Sequence, residues 1–281
     1  MWENMSEKID LERIPTGVEG VDKIIGGGIP RGFVIAVVGE PGTGKTIFCI
    51  HFIAKGLEIG EPGIYVTTEE SRQSVIRQAK MFGFNFKRHV DEGRLVIIDA
   101  LMGERGDPWS LSRLDVEELV SKIIEAKKYL GYGHTRVVVD SMSAFWLDKP
   151  AMARKYSYYV KRVLTKWDMT VLLVSQYAVT TSLGFGFGVE HVADGIIRFR
   201  KRIVGGRLKR FIIIEKMRQT PHDTRVYEID VVDRKGMVVL GPYKLTREEV
   251  SYPTSLLRKI LSAEIKKELE FTNIEDTNEE N

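Results

Sequence analysis

Val34-Ile35-Ala36-Val37-Val38-Gly39-Glu40-Pro41-Gly42-Thr43-Gly44-Lys45-Thr46 decides the reading of this chain. A continuous β-branched run enters a glycine-rich loop that ends in Gly-Lys-Thr. An amphipathic stretch, Ile47 to Gly56, follows it. The spacing is that of a phosphate-binding loop in its expected setting between a buried strand and a helix. Its glycines let the backbone curl until N–H groups point at phosphate oxygens, and the helix N-terminus adds positive potential. Gly39 through Ile47 therefore form the candidate nucleotide cradle. Lys45 is expected to reach the β- and γ-phosphates of ATP, and the Thr46 hydroxyl to ligate Mg²⁺.

On either side of this loop the pattern repeats. Apolar runs at Phe33–Val38, Gly63–Thr67, Leu95–Asp99, Arg136–Asp140 and Thr170–Ser175 read as strands covered on both faces. Helical periodicity over Ser74–Phe82, Asp115–Leu130 and Ala151–Trp167 separates them, with Asp115 and Glu118 at capping-box spacing. Such alternation predicts an α/β fold, a mostly parallel sheet flanked by helices. From Gly195 onward the pattern becomes hairpin-like. Ile196–Ile203 and Leu208–Ile214 flank Gly205-Gly206, and Val226–Val232 and Met237–Leu240 flank Asp233 to Gly236, so the sheet is expected to end in antiparallel strands. The predicted organisation is an arm over residues 1–12, one ATPase domain over 13–245, and a C-terminal helix with an acidic, disordered tail over 246–281.

Composition narrows the class. The 281 residues are 43% hydrophobic and 29% charged, with 42 basic and 39 acidic side chains, so the chain is neither disordered nor strongly basic overall. A single cysteine, Cys49, excludes an intrachain disulfide and is expected to pack in the core. No apolar run is long enough to span a bilayer and no signal peptide is visible, which predicts a cytoplasmic protein without membrane contact.

Three further groups complete a candidate catalytic set. Asp140 closes an apolar strand and is the expected acid of the metal shell, with Asp99 as its competitor. Glu69 and Glu70 follow another strand, at the edge where open α/β sheets bind ligands, and one of them, Glu69 by preference, can polarise an attacking water. Gln176, at a further strand tip, can sense the γ-phosphate by hydrogen bonding.

A basic segment stands apart. Arg198 to Arg210 holds seven basic residues in thirteen and no acid. Period two places Arg198, Arg200 and Arg202 on one strand face and Lys201 on the other, with Arg207, Lys209 and Arg210 adding charge, a pattern that fits a phosphate track on single-stranded DNA. Arg154, Lys155, Lys161, Arg162 and Lys166 beside Tyr158 and Tyr159 form a second basic stretch where bases can stack. The Gly/Thr/Ser loop Tyr177–Glu190 carries Phe185 and Phe187.

The phosphate loop, Thr16-Gly17 with Asp22, Gly27–Gly32, the Glu69-Glu70 pair, Val137–Ser141, Val189–Arg198 and Glu215-Lys216-Met217-Arg218 together resemble the RecA-like ATPases. Within them the resemblance is to the KaiC-like family, including the archaeal RadA paralogues, and covers roughly Leu11 to Leu245. It implies that nucleotide lies between neighbouring subunits. A neighbour's Lys216, Met217 and Arg218 would then approach the γ-phosphate, with Thr220 and His222 nearby. Asp233 would lie near the base or ribose, and Met81, Phe82 and Gly83 would flank the base. It further implies self-association and an Mg-dependent ATPase acting with single-stranded DNA as a recombination and repair accessory, with a recombinase as possible partner. The other function open to such a family is a regulatory switch that acts on a protein without touching DNA. The chain departs from the family at Gln219 and Pro221, where Gly and Ser are usual.

Overall fold

The computed structural model describes residues 11–102, 106–146, 150–176 and 188–244. Contacts divide the chain into Met1–Pro242 and Tyr243–Asn281, and the fold and site lie in the first unit. Most of the expected arm, the Tyr177–Phe187 part of the glycine-rich loop, the C-terminal helix and the acidic tail lie outside the described residues.

In chain order the elements are β1 (Arg13–Ile14), α1 (Glu19–Ile24), β2 (Ile29–Pro30), β3 (Val34–Gly39), α2 (Lys45–Glu58), β4 (Gly63–Thr67), α3 (Arg72–Met81), α4 (Phe86–Asp91), β5 (Leu95–Asp99), α5 (Val116–Leu130), β6 (Thr135–Asp140), α6 (Ala153–Leu164), β7 (Met169–Gln176), α7 (Val189–Val192), β8 (Gly195–Val204), β9 (Arg207–Met217), β10 (Tyr227–Val232) and β11 (Gly236–Pro242). Short 3₁₀ turns cover Met142–Trp146 and Pro150–Met152. Nine strands form one sheet in the order β11-β10-β9-β8-β3-β7-β6-β4-β5. The run from β8 to β5 is parallel and β9 to β11 are antiparallel, as the sequence predicts.

Along β3 the side chains alternate between two cores. Ile35 and Val37 pack with Phe48, Phe52, Val75 and Phe86 on the α1–α4 side. Val34, Ala36 and Val38 pack with Leu119, Ile123, Val160 and Leu164 on the α5–α7 side. A strand buried on both faces has no polar alternation, which is why its sequence reads as an unbroken apolar run.

The structure adds elements the periodicity missed. Helices α1 and α4 have six residues each, too short for a clear 3.6 period. The β1–β2 pair has two residues in each strand. At α5 the expected capping box is half made. Asp115 accepts from the backbone N–H groups of Glu117 and Glu118, but the Glu118 carboxylate turns back to Ser112 and Arg113 instead of the Asp115 N–H.

Two buried polar groups fix α2. Arg136, at 0% exposure, donates to Glu61 Oε2 at 2.6 Å and to the carbonyls of Pro15 at 2.6 Å and Phe52 at 2.9 Å. Its guanidinium lies 4.8 Å from the centre of the Phe52 ring. His51 accepts the Met237 N–H on Nε2 at 2.9 Å, so its proton sits on Nδ1, which points at the Gly17 carbonyl 3.2 Å away. Burial holds its pKa below the usual histidine value.

Both features are testable. Glycine to alanine inside a helix ordinarily stabilises, by about 1 kcal/mol. At Gly56, however, a Cβ would meet Arg136 Cδ at 2.4 Å and Nε at 2.6 Å. Gly56→Ala is therefore expected to destabilise by about 2 kcal/mol in denaturant unfolding, the range of an overpacked core. For His51 the folded state binds fewer protons than the unfolded state. Its stabilisation is complete above the unfolded pKa of about 6.5 and is lost as pH falls through the folded value. Unfolding free energies measured from pH 8 to pH 5 should fall below about pH 6.5, and less so in His51→Gln.

Candidate nucleotide site

Four adjacent strands, β3, β7, β6 and β4, deliver the candidate groups to one edge of the sheet. The phosphate loop leaves β3 at Gly39, Gln176 ends β7, Asp140 ends β6, and Glu69 follows β4. They meet in a cleft of about 400 Å³ lined by the loop, Glu69, Glu70, Asp140 and Gln176, together with Arg210 and Val231.

Backbone conformation explains the loop glycines. Gly39 has φ 151° and a Cβ there would lie 2.3 Å from the Phe199 carbonyl oxygen on β8. Gly44 has φ 105°, a left-handed conformation that only glycine adopts without cost, and it opens α2. No side chain caps α2 and its first turn holds no acid, so its leading N–H groups face the cleft with their positive potential uncompensated. Lys45 Nζ folds back onto the Glu40 carbonyl at 2.8 Å, and burial lowers its pKa. Asp140 accepts from the Tyr65 hydroxyl at 3.0 Å. Burial raises its pKa, against hydrogen bonds from Thr46 and Tyr65 that lower it. A buried cation and a buried acid facing one cleft, beside free N–H groups, fit a polyanion with a divalent ion. Thr46 and Asp140 line the same cleft, as a shared metal shell requires. Among the described residues no cluster of three or more metal-ligating His, Cys, Asp or Glu exists. That suits Mg²⁺, which takes one or two protein ligands and fills its shell with phosphate oxygens and water. Asp99, the competing acid, is spent elsewhere. It lies on the edge strand β5 and accepts from the N–H groups of Arg72, Leu101 and Met102.

The two glutamates separate clearly. The Glu70 carboxylate accepts from Ser74 Oγ at 2.6 Å and from Gln78, so it serves the start of α3. Glu69 accepts from Ser141 Oγ at 2.9 Å and from Gln176 Nε2 at 2.5 and 2.7 Å. Gln176 therefore grips the candidate base directly, and its own N–H is held by Ser143 Oγ at 2.9 Å. Sequence reading named both residues but not this contact, nor Ser141 as a partner of Glu69 and Tyr65 as a partner of Asp140.

Several predicted site residues are placed differently. Arg210 pairs with Lys201 across the β8–β9 hairpin, on the face opposite Arg198, Arg200 and Arg202. It donates to the Gly42 carbonyl at 3.1 Å, and Lys201 to Pro41 at 2.7 Å, so both belong to the nucleotide cleft and not to a separate phosphate track. Arg198 is paired with Glu215, and Lys209 with Glu228 at 3.1 Å. Arg200, Arg202 and Arg207 are exposed. The Met217 side chain is part of the core, and Thr220 is buried and accepts from Arg13 at 2.7 Å, so neither faces outward. His222 Nδ1 lies 3.2 Å from the Thr220 carbonyl. Lys216 donates to the Ala193 carbonyl at 2.6 Å and Arg218 to Asp194 at 3.3 Å. Both sit level with the start of β3, because Met217 pairs with Gly195 and Gly195 with Ile35. The phosphate loop follows the other end of β3, four residues or about 13 Å away at ~3.3 Å per residue. They cannot reach the nucleotide of their own subunit. Gln219 has φ 54°, so the position the family fills with Gly keeps the left-handed backbone. A Cβ on Gly83 would lie 3.7 Å from the Arg234 carbonyl, which brings the Met81–Gly83 segment beside the Asp233 turn.

A phosphate loop at the head of α2, an acid at the end of β6, one strand beyond β7, and a carboxylate facing the same cleft define a nucleotide-binding ATPase domain of the RecA class. Residues 14–244 match the family "ATPase: KaiC", and the chain belongs to that family. It is 40% identical over 235 residues to a UPF0273 protein of Thermotoga maritima, covering 82% of this chain and 96% of that one. It is 39% identical over 242 residues to UPF0273 protein PH0284 of Pyrococcus horikoshii, covering 85% and 98%. Among solved structures it is similar to the KaiC-like protein PH0186 of P. horikoshii, with TM-score 0.69, 29% identity and coverage of 82% and 99%. No helix among the described residues is long and apolar enough to cross a membrane.

The division of roles makes a prediction. Lys45→Ala should abolish nucleotide binding and Asp140→Asn should abolish turnover. Glu69→Gln should keep binding and lose at least about a hundredfold in hydrolysis, the usual worth of a positioned base. Glu70→Gln should hydrolyse within a few-fold of wild type. Nucleotide affinity measured beside single-turnover hydrolysis checks all four.

Proposed function

We propose that this chain hydrolyses ATP to ADP and phosphate in an Mg²⁺-dependent reaction, and that it does so as part of an assembly that works on single-stranded DNA as a recombination or repair accessory. The observation that carries the hydrolytic reading is the placement of Glu69 beside Lys45, Thr46 and Asp140 in one cleft. The loop N–H groups and Lys45 hold the β- and γ-phosphates. Thr46 and Asp140 would hold Mg²⁺, which when bound offsets the charge of the phosphate oxygens. Glu69 orients the attacking water and accepts its proton. Three hydrogen bonds already reach its carboxylate, and about four lone-pair sites are available, which leaves room for one water. Arg210 adds positive charge from within the same subunit.

Self-association is the natural complement of Lys216 and Arg218. They lie too far from their own cleft, and Arg218, 56% exposed, is held among the described residues only by Asp194 at 3.3 Å, a contact it could exchange for a neighbour's cleft. A cation that arrives only on assembly makes turnover conditional on assembly. The second reading, a regulatory switch acting on a protein partner, draws support from the hairpin. Four of its seven cations are engaged by Glu215, Glu228 and the phosphate loop, which weakens it as a stand-alone DNA track.

ATP turnover measured across a wide range of protein concentration, with and without single-stranded DNA, tests the proposal. Specific activity should rise with concentration. Arg218→Ala should lower that plateau by at least about tenfold with little change in nucleotide affinity. Flat specific activity from a monomer verified by sedimentation overturns the assembly reading. No DNA binding at physiological salt, with hydrolysis intact, favours the regulatory switch.

A further inference from the structure

Among the described helices α6 carries the most basic residues and, like α3, no acid. From Ala151 to Trp167 the chain holds five basic residues and no acid. Its inner face, Ala153, Ser157, Val160 and Leu164, is buried. Its outer face carries Arg154, Lys155, Tyr158 and Arg162, and Lys166 follows in the next turn, all exposed. Among the described residues none of these four cations makes a hydrogen bond or ion pair. Some helical cations elsewhere are matched, as Lys122 is by Glu125 on α5 and Lys87 by Asp91 on α4. Of the described acids beside α6, Asp168 is held by Arg31 and Asp194 by Lys161 and Arg218, while the Glu190 carboxylate on α7 is buried without a partner.

The stripe has a direction. Arg154, Tyr158 and Arg162 recur every fourth residue, so they stack along one edge of the helix over about 12 Å at ~1.5 Å per residue. Lys161 donates to the Val192 carbonyl at 2.8 Å and pairs with Asp194, which fixes α6 beside the start of β8. On β8, Ile197 and Phe199 face the α2 side of the sheet, so Arg200 and Arg202 face the α6 side. The exposed hairpin arginines and the α6 stripe thus share one side of the molecule. The apolar face of α6 is used up in the core, so the helix has nothing to insert into a membrane.

We propose that the outer face of α6 is the principal binding surface for single-stranded nucleic acid, with Arg154, Lys155, Arg162 and Lys166 on successive phosphates and Tyr158, 54% exposed, stacking on a base. This deepens the DNA-directed reading above and rests on it. It moves the main contact from the hairpin, whose cations are largely engaged, to the helix, whose cations are not.

The test is binding of a fluorescent oligo-dT to the full chain over a salt titration. Three variants are compared with wild type: Arg154→Gln/Lys155→Gln/Arg162→Gln, Arg200→Ala/Arg202→Ala/Arg207→Ala, and Tyr158→Ala. At about 0.7 per phosphate contact, the α6 triple variant should flatten the log–log salt slope by about two and weaken binding by at least roughly tenfold at low salt. The hairpin variant should lose less, and Tyr158→Ala should weaken binding about fivefold or more. Basal ATP turnover and the unfolding midpoint should be unchanged in the α6 variant, since its residues are exposed and outside the cleft. If the α6 variant binds like wild type while the hairpin variant does not, the inference falls and the DNA reading stands. If wild type does not bind oligo-dT, both fall. Equal binding of poly-glutamate, lost in the α6 variant and indifferent to Tyr158→Ala, would overturn it in favour of an acidic protein partner.

Discussion

The buried guanidinium of Arg136 is the constraint on which the site depends. Arg136 stands at the start of β6, and β6 ends at Asp140. It binds the Phe52 carbonyl in the middle of α2, the helix that begins at Lys45. One side chain at the base of the sheet thus sets how far α2 slides along β6, and with it the separation of the phosphate loop from the acid. Glu61 neutralises Arg136 and also meets His134 at 2.7 Å, and His134 reaches Thr170 on β7 at 2.8 Å. A charge this deep is tolerable only when paired, and losing one partner of such a pair typically costs about 3–5 kcal/mol. The clamp also holds Pro15, so the first glycine-rich segment, with no long helix of its own, is tied to the same point.

At the other end of the sheet the polar groups are less well served. Lys45 has a lowered pKa and Asp140 a raised one, each because burial opposes its charge. Lys45 has only the Glu40 carbonyl as hydrogen-bond partner, an arrangement that a phosphate would improve. A buried charge that is ion-paired at the base, and buried charges without an ion pair at the rim, are what a ligand-binding edge requires. Stability is concentrated where nothing has to bind, and unmet electrostatic demand where something does.

Much of this was legible from the sequence because the signals are local. The phosphate loop, the strand before it and the acids at strand ends follow from short patterns, and the parallel core strands were placed to within about two residues. The hairpin shows where local reading stops. Period two along β8 separates Lys201 from Arg198, Arg200 and Arg202. That parity does not by itself extend across the Gly205-Gly206 turn, so Arg210 is grouped with the phosphate track without a face of its own. Pairing each residue with its partner across that turn puts Arg210 opposite Lys201 and aims it at the phosphate loop. The Tyr65–Asp140 and Gln176–Glu69 contacts join residues 75 and 107 positions apart, and nothing in one chain's periodicity encodes them. Helix α1 is short and lacks a side-chain cap, so it leaves no signature beside its glycines.

The grip of Gln176 on Glu69 has a kinetic meaning. A carboxylate whose two oxygens both accept from one amide, one of them also from Ser141, has a single lone-pair site left for water. If Glu69 is the base, withdrawal of the amide would free further sites, and turnover would rise with the fraction of time the amide is withdrawn. Stimulation of this ATPase would then act as the release of a brake, with its ceiling fixed by the resting occupancy of a single hydrogen-bonded pair.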